Sequence, residues 1–193
     1  MYTIPTSITI DGVEHKIRNN GDFRVILDCF QALEDVELDA RERLLACLII
    51  FYEDINSIAD IEKIENLQEA VTKMYNFFSC GSQSVGTQTT RKLIDWEQDS
   101  QLICSAVNKV AGTEIRTLPY LHWWTFMGYY SSVGECPLST IIRIRDKILK
   151  GKKLEKGERE FRAENPRYFN WNSKTVEENE ADMLVRSLWN SGD

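Results

Sequence analysis

The sequence predicts a mainly α-helical protein: two helical modules with a small N-terminal β-hairpin. Three observations lead there. Apolar residues recur at spacings of three and four through most of the chain. One short stretch alternates around an Asp-Gly pair. A polar run near the middle interrupts the helical pattern. With 193 residues, 42% hydrophobic and 27% charged, the chain holds core material for one domain or two small ones.

Residues 7–17, SITIDGVEHKI, alternate Ile8 and Ile10, then Val13, His15 and Ile17, around Asp11-Gly12. A type I′ turn needs positive φ at both central positions, so Asp-Gly there predicts a hairpin. Such a hairpin is marginal alone and must lean on helices or on another chain. Phe23, Ile26, Leu27, Phe30 and Leu33 predict a helix over 23–33. Asp39 and Glu42 have capping-box spacing ahead of LLACLIIFYED, whose helix is apolar nearly all round and therefore central. A third helix is expected over 58–78, with Leu67, Val71, Met74 and Phe78 on one stripe.

Residues 80–90, CGSQSVGTQTT, are dominated by Gly, Ser, Thr and Gln. They read as a flexible linker, 80–91, between an N-terminal hairpin and helical module, 1–79, and a C-terminal helical module, 92–171. In the second module Asp95 is expected to cap a helix that ends at Gly112. A further helix is expected after Pro119, with that proline in its first turn and Gly134 closing it. Another runs from Pro137 to Gly151, and a short charged one over 155–164 stops before Asn165-Pro166. Residues 172–193 form an acidic tail expected to be mobile.

Composition narrows the function classes. No apolar run is long enough to span a bilayer, and the first residues lack the basic and apolar regions of a secretory signal, so export is not expected. The five cysteines are scattered, and Cys47 and Cys104 lie in apolar stretches, which suits buried free thiols in a reducing compartment. There is no nucleophile motif, no Gly-rich phosphate loop and no metal box. The expectation is a non-enzymatic protein with no catalytic residues, no cofactor and no metal. Residues 1–80 carry 15 acidic and 7 basic side chains, a net of −8, whereas residues 143–167 carry 10 basic and 5 acidic ones, a net of +5. The interspersed acids argue against nucleic-acid binding in the basic stretch, and the asymmetry favours self-association instead.

Residues 119–130, PYLHWWTFMGYY, concentrate aromatic side chains. On a helical wheel they cover most of the circumference and carry no Lys or Arg, unlike an exposed stacking platform in a basic groove. Tyr120, Trp123, Trp124 and Phe126, with Trp96 from the preceding helix, are therefore assigned to a core in the second module. Two charges interrupt apolar arcs: Asp99 among Leu102, Ile103, Ala106 and Val110, and Arg145 among Leu138, Ile141, Ile142, Ile148 and Leu149. Either the two pair beneath the tryptophans, with indole N–H groups serving the carboxylate, or one of them snorkels at a helix rim. The candidate partner contacts are His122 and Tyr129 on the polar face of the aromatic helix, and Lys147, Lys150, Lys152 and Lys153 around a helix C-terminus.

These same residues carry a family resemblance. Asp95, Trp96 and Asp99, then the Leu-His-Trp-Trp-x-Phe run from Leu121 to Phe126, the Ile-x-Ile-Arg run from Ile142 to Arg145, and the end from Tyr168 to Trp171 resemble the bacteriophage gene-product-fifteen family of Gram-positive siphophages. The resemblance covers 95–171 and extends more weakly to the helices from Phe23. It implies a phage tail assembly chaperone. Such a protein binds the tape-measure protein and tail-tube subunits transiently, acts in the host cell cytoplasm and is absent from the mature virion. The alternatives kept open are a permanent structural component such as a head–tail connector, and a nucleic-acid-binding phage protein.

Overall fold

In a computed structural model that describes residues 3–82 and 93–170, the chain first reverses at Asp11 and Gly12, with φ of 47° and 80°. This joins β1 (Ser7–Ile10) to β2 (Val13–Lys16) as an antiparallel pair, with Ser7 opposite Lys16 and Ile10 opposite Val13. Two units follow. Of the described residues, the first holds 3–82 and 120–125, and the second holds 93–119 and 126–170.

In the first unit, α1 (Phe23–Leu33) matches its expected limits. α2 (Ala40–Phe51) opens on the Asp39–Glu42 capping box, with both reciprocal bonds made at 2.8 and 2.9 Å. The single helix expected over 58–78 is two: α3 (Ile58–Ile61) and α4 (Leu67–Phe78). Asn66 divides them, because its side-chain oxygen accepts from the Glu69 N–H and starts α4 anew. Ile10, Ile17, Ile26, Cys29, Cys47, Leu48, Phe51, Tyr52 and Met74 form the buried centre of this unit. The Tyr52 hydroxyl donates to Ala70 O, and burial raises its pKa.

Arg18 is the polar centre of this unit. It begins a turn, Arg18–Gly21, in which Asn19, Asn20 and Gly21 all have positive φ. Its guanidinium donates to the carbonyls of Ile49, Ile50, Tyr52 and Ile55 and to Asn56 Oδ1, at 2.9 to 3.3 Å. The last carbonyls of a helix have no intrahelical partner, and its C-terminus attracts a cation. Arg18 meets both needs of α2. Gly21 is required in the same turn: a Cβ there would sit 2.7 Å from Phe77 Cζ and 3.1 Å from His122 Nε2.

The second unit contains α5 (Ser100–Ala111), α7 (Pro137–Leu149) and α8 (Lys156–Glu164). Between α5 and α7 runs α6 (Trp123–Ser131), whose first three residues group with the first unit and the remainder with the second. Gly112 (φ 70°) ends α5 and Gly151 (φ 64°) follows α7. Two helix starts differ from expectation. α5 begins at Ser100 rather than Asp95, whose side chain instead caps the preceding turn by accepting from the Glu97 and Gln98 N–H groups. α6 begins at Trp123 rather than after Pro119, because residues 120–122 are held extended by bonds described below. Cys104, expected in the core, is half-buried. The expected linker is described only over 80–82, and the expected tail, 172–193, lies outside the described residues.

Arg18→Ala should destabilise the protein by about 2–4 kcal/mol, because it strands several carbonyls at once. A urea denaturation midpoint measures this. Arg18→Lys should recover only part of the loss, since an ammonium lacks the planar fork that reaches several acceptors.

Candidate partner-binding site

The aromatic segment is anchored in the first unit, not in the core of the second. Leu121 N–H donates to Asp22 Oδ2 and Leu121 O accepts from the Phe23 N–H, each at 2.9 Å. Asp22, 5% exposed, also accepts from the Arg24 N–H and its guanidinium. Next comes His122, 2% exposed. Its Nδ1 lies 3.0 Å from the Trp124 backbone N–H and its Nε2 lies 3.0 Å from Pro5 O. A backbone N–H can only donate, so Nδ1 accepts. A carbonyl can only accept, so Nε2 carries the proton. The neutral imidazole thus caps α6. Burial pushes its pKa below the usual histidine value, against smaller opposing effects of Pro5 O and Asp22.

Trp123 and Trp124 complete the anchor. Trp123 Nε1–H donates to Phe78 O and Trp124 Nε1–H to Phe77 O, both at 2.9 Å. These are the last two carbonyls of α4. Three expectations change accordingly. His122 is buried and internally bonded, so it is not a partner contact. Tyr120 is not a core aromatic: it is 42% exposed and its hydroxyl donates to Asn20 O. The indoles of Trp123 and Trp124 serve helix-end carbonyls, not the carboxylate of Asp99. Of the other aromatics assigned to the core, Trp123 and Phe126 are 1% exposed, whereas Trp124 and Trp96 are half-buried.

Asp99 and Arg145 meet inside the second unit, 0% and 3% exposed. Arg145 Nη1 and Nη2 reach Asp99 Oδ2 and Oδ1 at 2.5 and 3.0 Å, a bidentate arrangement. Arg145 also donates to Tyr168 O from Nε and Nη2, and to Leu93 O from Nη1. Asp99 Oδ2 accepts in addition from the Asp95 N–H at 3.1 Å. The pair therefore ties α5, α7, the segment ahead of α5 and the turn after α8. Neither group snorkels at a rim. Nearby, Trp96 lies against Phe126 and Tyr130. Burial, together with the charge of Asp99, pushes the Tyr130 hydroxyl up to about 12. A pair this enclosed is a structural closure and offers no face to a partner.

The candidate lysines divide. Lys147 binds Glu158 at 2.7 Å and Glu155 at 3.3 Å. The Glu158 bond raises the pKa of Lys147 and lowers that of Glu158. Lys150 pairs with Asp146 at 2.7 Å. Both lysines are engaged within their own unit. Lys152 is exposed, and Tyr129 is half-buried. Lys153 lines an open groove of about 530 Å³ with Leu154, Arg159, Arg162, Pro166 and Phe169. Arg159 Nη1 donates to Leu154 O at 2.8 Å, and Phe161 meets Phe169 edge to face. Among the described residues, Lys153 and Arg162 have no carboxylate partner.

A groove lined by Leu154, Pro166 and Phe169 together with Lys153, Arg159 and Arg162 suits an acidic peptide segment that presents an apolar side chain. Arg159 and Arg162 were not singled out from sequence, and Phe169 only within the Tyr168–Trp171 end. The spacing of the two arginines by three on α8 places them on one face and was the available signal. The turn Pro166–Tyr168, which precedes Phe169, was not readable. No group of metal-ligating side chains occurs among the described residues, and no described helix is long and apolar enough to cross a membrane.

The family model described as "Bacteriophage Gp15 protein" matches residues 2–168. No curated protein and no solved structure matches the chain.

Two outcomes follow from the anchors. Asp99→Ala should cost about 3–5 kcal/mol by leaving Arg145 buried without its carboxylate, read as a lowered melting midpoint. His122 gives a pH dependence. The unfolded chain binds its proton near pH 6.5 and the folded chain only at lower pH. Its contribution to stability should be complete above about pH 6.5 and decline as pH falls through the folded pKa. In His122→Asn, an amide can cap and donate without titrating, so the stability gap to the wild type should change over that window.

Proposed function

The chain belongs to the bacteriophage Gp15 protein family, and on that premise we propose that this phage protein is a tail assembly chaperone. Family membership carries the reading. Of the residues that the resemblance rests on, Asp95, Trp96, Asp99, Leu121 to Phe126, Ile142 to Arg145 and Tyr168 lie within the matched region. In this role the protein binds the tape-measure protein and tail-tube subunits transiently and without catalysis, in the host cell cytoplasm, and leaves before the virion matures. Copies of the chain also associate with one another.

Two features support a binding role. His122, Trp123, Trp124, Asp99 and Arg145 are consumed by internal bonds, which leaves loops and grooves as the surfaces open to a partner. The groove at Lys153, Arg159 and Arg162 is open, and its mixed lining is of the kind that holds a peptide segment. Charge-steered contacts form quickly and weaken with salt, which suits a partner that must be released.

Co-expression with the tape-measure protein of the same phage tests the proposal. The tape-measure protein should stay soluble and co-purify with this chain, and should precipitate without it. Mass spectrometry of purified virions should not detect the chain. A tape-measure protein that is neither solubilised nor retained would end the chaperone reading. Stoichiometric presence in virions would favour a permanent structural component.

A further inference from the structure

We infer that the groove between the α7–α8 connection and the Pro166–Tyr168 turn is a self-association site that takes the α1–α2 loop of a second copy. This deepens the self-association belonging to the chaperone reading, but it can be tested on the purified chain alone.

The groove presents Lys153, Arg159 and Arg162 around Leu154, Pro166 and Phe169. Its occupant must be acidic and must carry a small apolar tip. The α1–α2 loop has that chemistry. Residues 34–39 read Glu-Asp-Val-Glu-Leu-Asp, with no basic residue among them. Val36 stands at the middle, 56% exposed, although valine is among the residue types most often buried. Glu37 beside it is exposed. The loop is braced: Asp35 Oδ1 accepts from the Glu37 N–H at 2.9 Å, and Asp39 is held in the capping box of α2. A preshaped loop loses little freedom on binding. The groove volume of about 530 Å³ accommodates a valine side chain with its neighbouring backbone.

The wider charge distribution points the same way. Residues 1–80 carry a net of −8 and residues 143–167 a net of +5. Each copy would therefore offer one acidic loop and one basic groove. Unless two copies make this contact reciprocally, it is heterologous and leaves each open assembly with a free loop and a free groove. Copies then add head to tail, which would suit coverage of a long partner.

The test is a charge exchange on the full chain. One variant carries Glu37→Lys, the other Arg159→Glu and Arg162→Glu. Association is followed by sedimentation velocity at low and high salt. The wild type should associate with rising concentration, and salt should weaken it. Each variant alone should associate about tenfold or more weakly. The equimolar mixture should regain association, because each acidic surface again meets a basic one. That recovery requires both variants to be folded. Val36→Ser should weaken association without changing its salt dependence. A wild type that stays monomeric at every concentration would overturn the inference. So would variants that associate as the wild type does, or a mixture that behaves as the sum of its parts. Failure here with success in tape-measure co-purification would remove the self-association site and leave the chaperone reading standing.

Discussion

The C-terminal end of α4 is closed by two indole N–H groups, and much of the first unit follows from that arrangement. A helix ends in carbonyls with no partner of their own, and leaving them unmet in a buried place is costly. Many helices solve this with a glycine and the residues just after it. Here the N–H groups of Ser79, Cys80 and Gly81 meet Tyr75 O, Phe77 O and Asn76 O, and indoles 45 and 47 residues further along the chain add the donor to Phe78 O and a second donor to Phe77 O. Because Trp123 and Trp124 also begin α6, and His122 caps that beginning, three consecutive residues satisfy the end of one helix and the start of another. Asp22 fixes the approach by holding Leu121, and Gly21 permits it by having no side chain where Phe77 and His122 come close.

The second unit reaches closure by a different chemistry. Asp99 and Arg145 are a buried ion pair, and burying two charges pays off only when every remaining donor and acceptor is engaged. Arginine allows this because its fork binds a carboxylate on one side and carbonyls on the others. Its bonds to Tyr168 O and Leu93 O bring in the short Pro166–Tyr168 turn and the segment ahead of α5. Both units thus concentrate their polar specificity in a few residues, and His122, Trp123, Trp124, Asp99 and Arg145 among them lie in the motifs that carry the resemblance. Such residues identify a fold, while partner choice falls to exposed surfaces.

That division gives a physical reason for looking to the groove and loops for function. The lysines of α7 show the same logic on a smaller scale. Lys147 and Lys150 are neutralised by neighbouring acids, whereas Lys153, past the helix end, joins two arginines of α8 at an open surface. Density of basic residues in the sequence therefore overstated the free positive charge at α7 and missed where it gathers.

Read alone, the sequence determined what local chemistry controls. The hairpin at Asp11-Gly12, the limits of α1, the Asp39–Glu42 box and the glycine stops at Gly112 and Gly151 depend on backbone conformations and on bonds between near neighbours. Periodicity also exposed Asp99 and Arg145 as charges out of place, which invited their pairing. Tertiary structure alone decided the rest. It divided the helix expected over 58–78 at Asn66, delayed α6 to Trp123 and moved the His122–Trp124 anchor from the expected second core into the first unit. It assigned Arg18 to the end of α2 and assembled Arg159, Arg162 and Phe169 into one groove. The reason is common to all but the first and the last of these. Unsatisfied helix ends and loop carbonyls can be met by any donor the fold brings near, and sequence spacing carries no record of which donor that is.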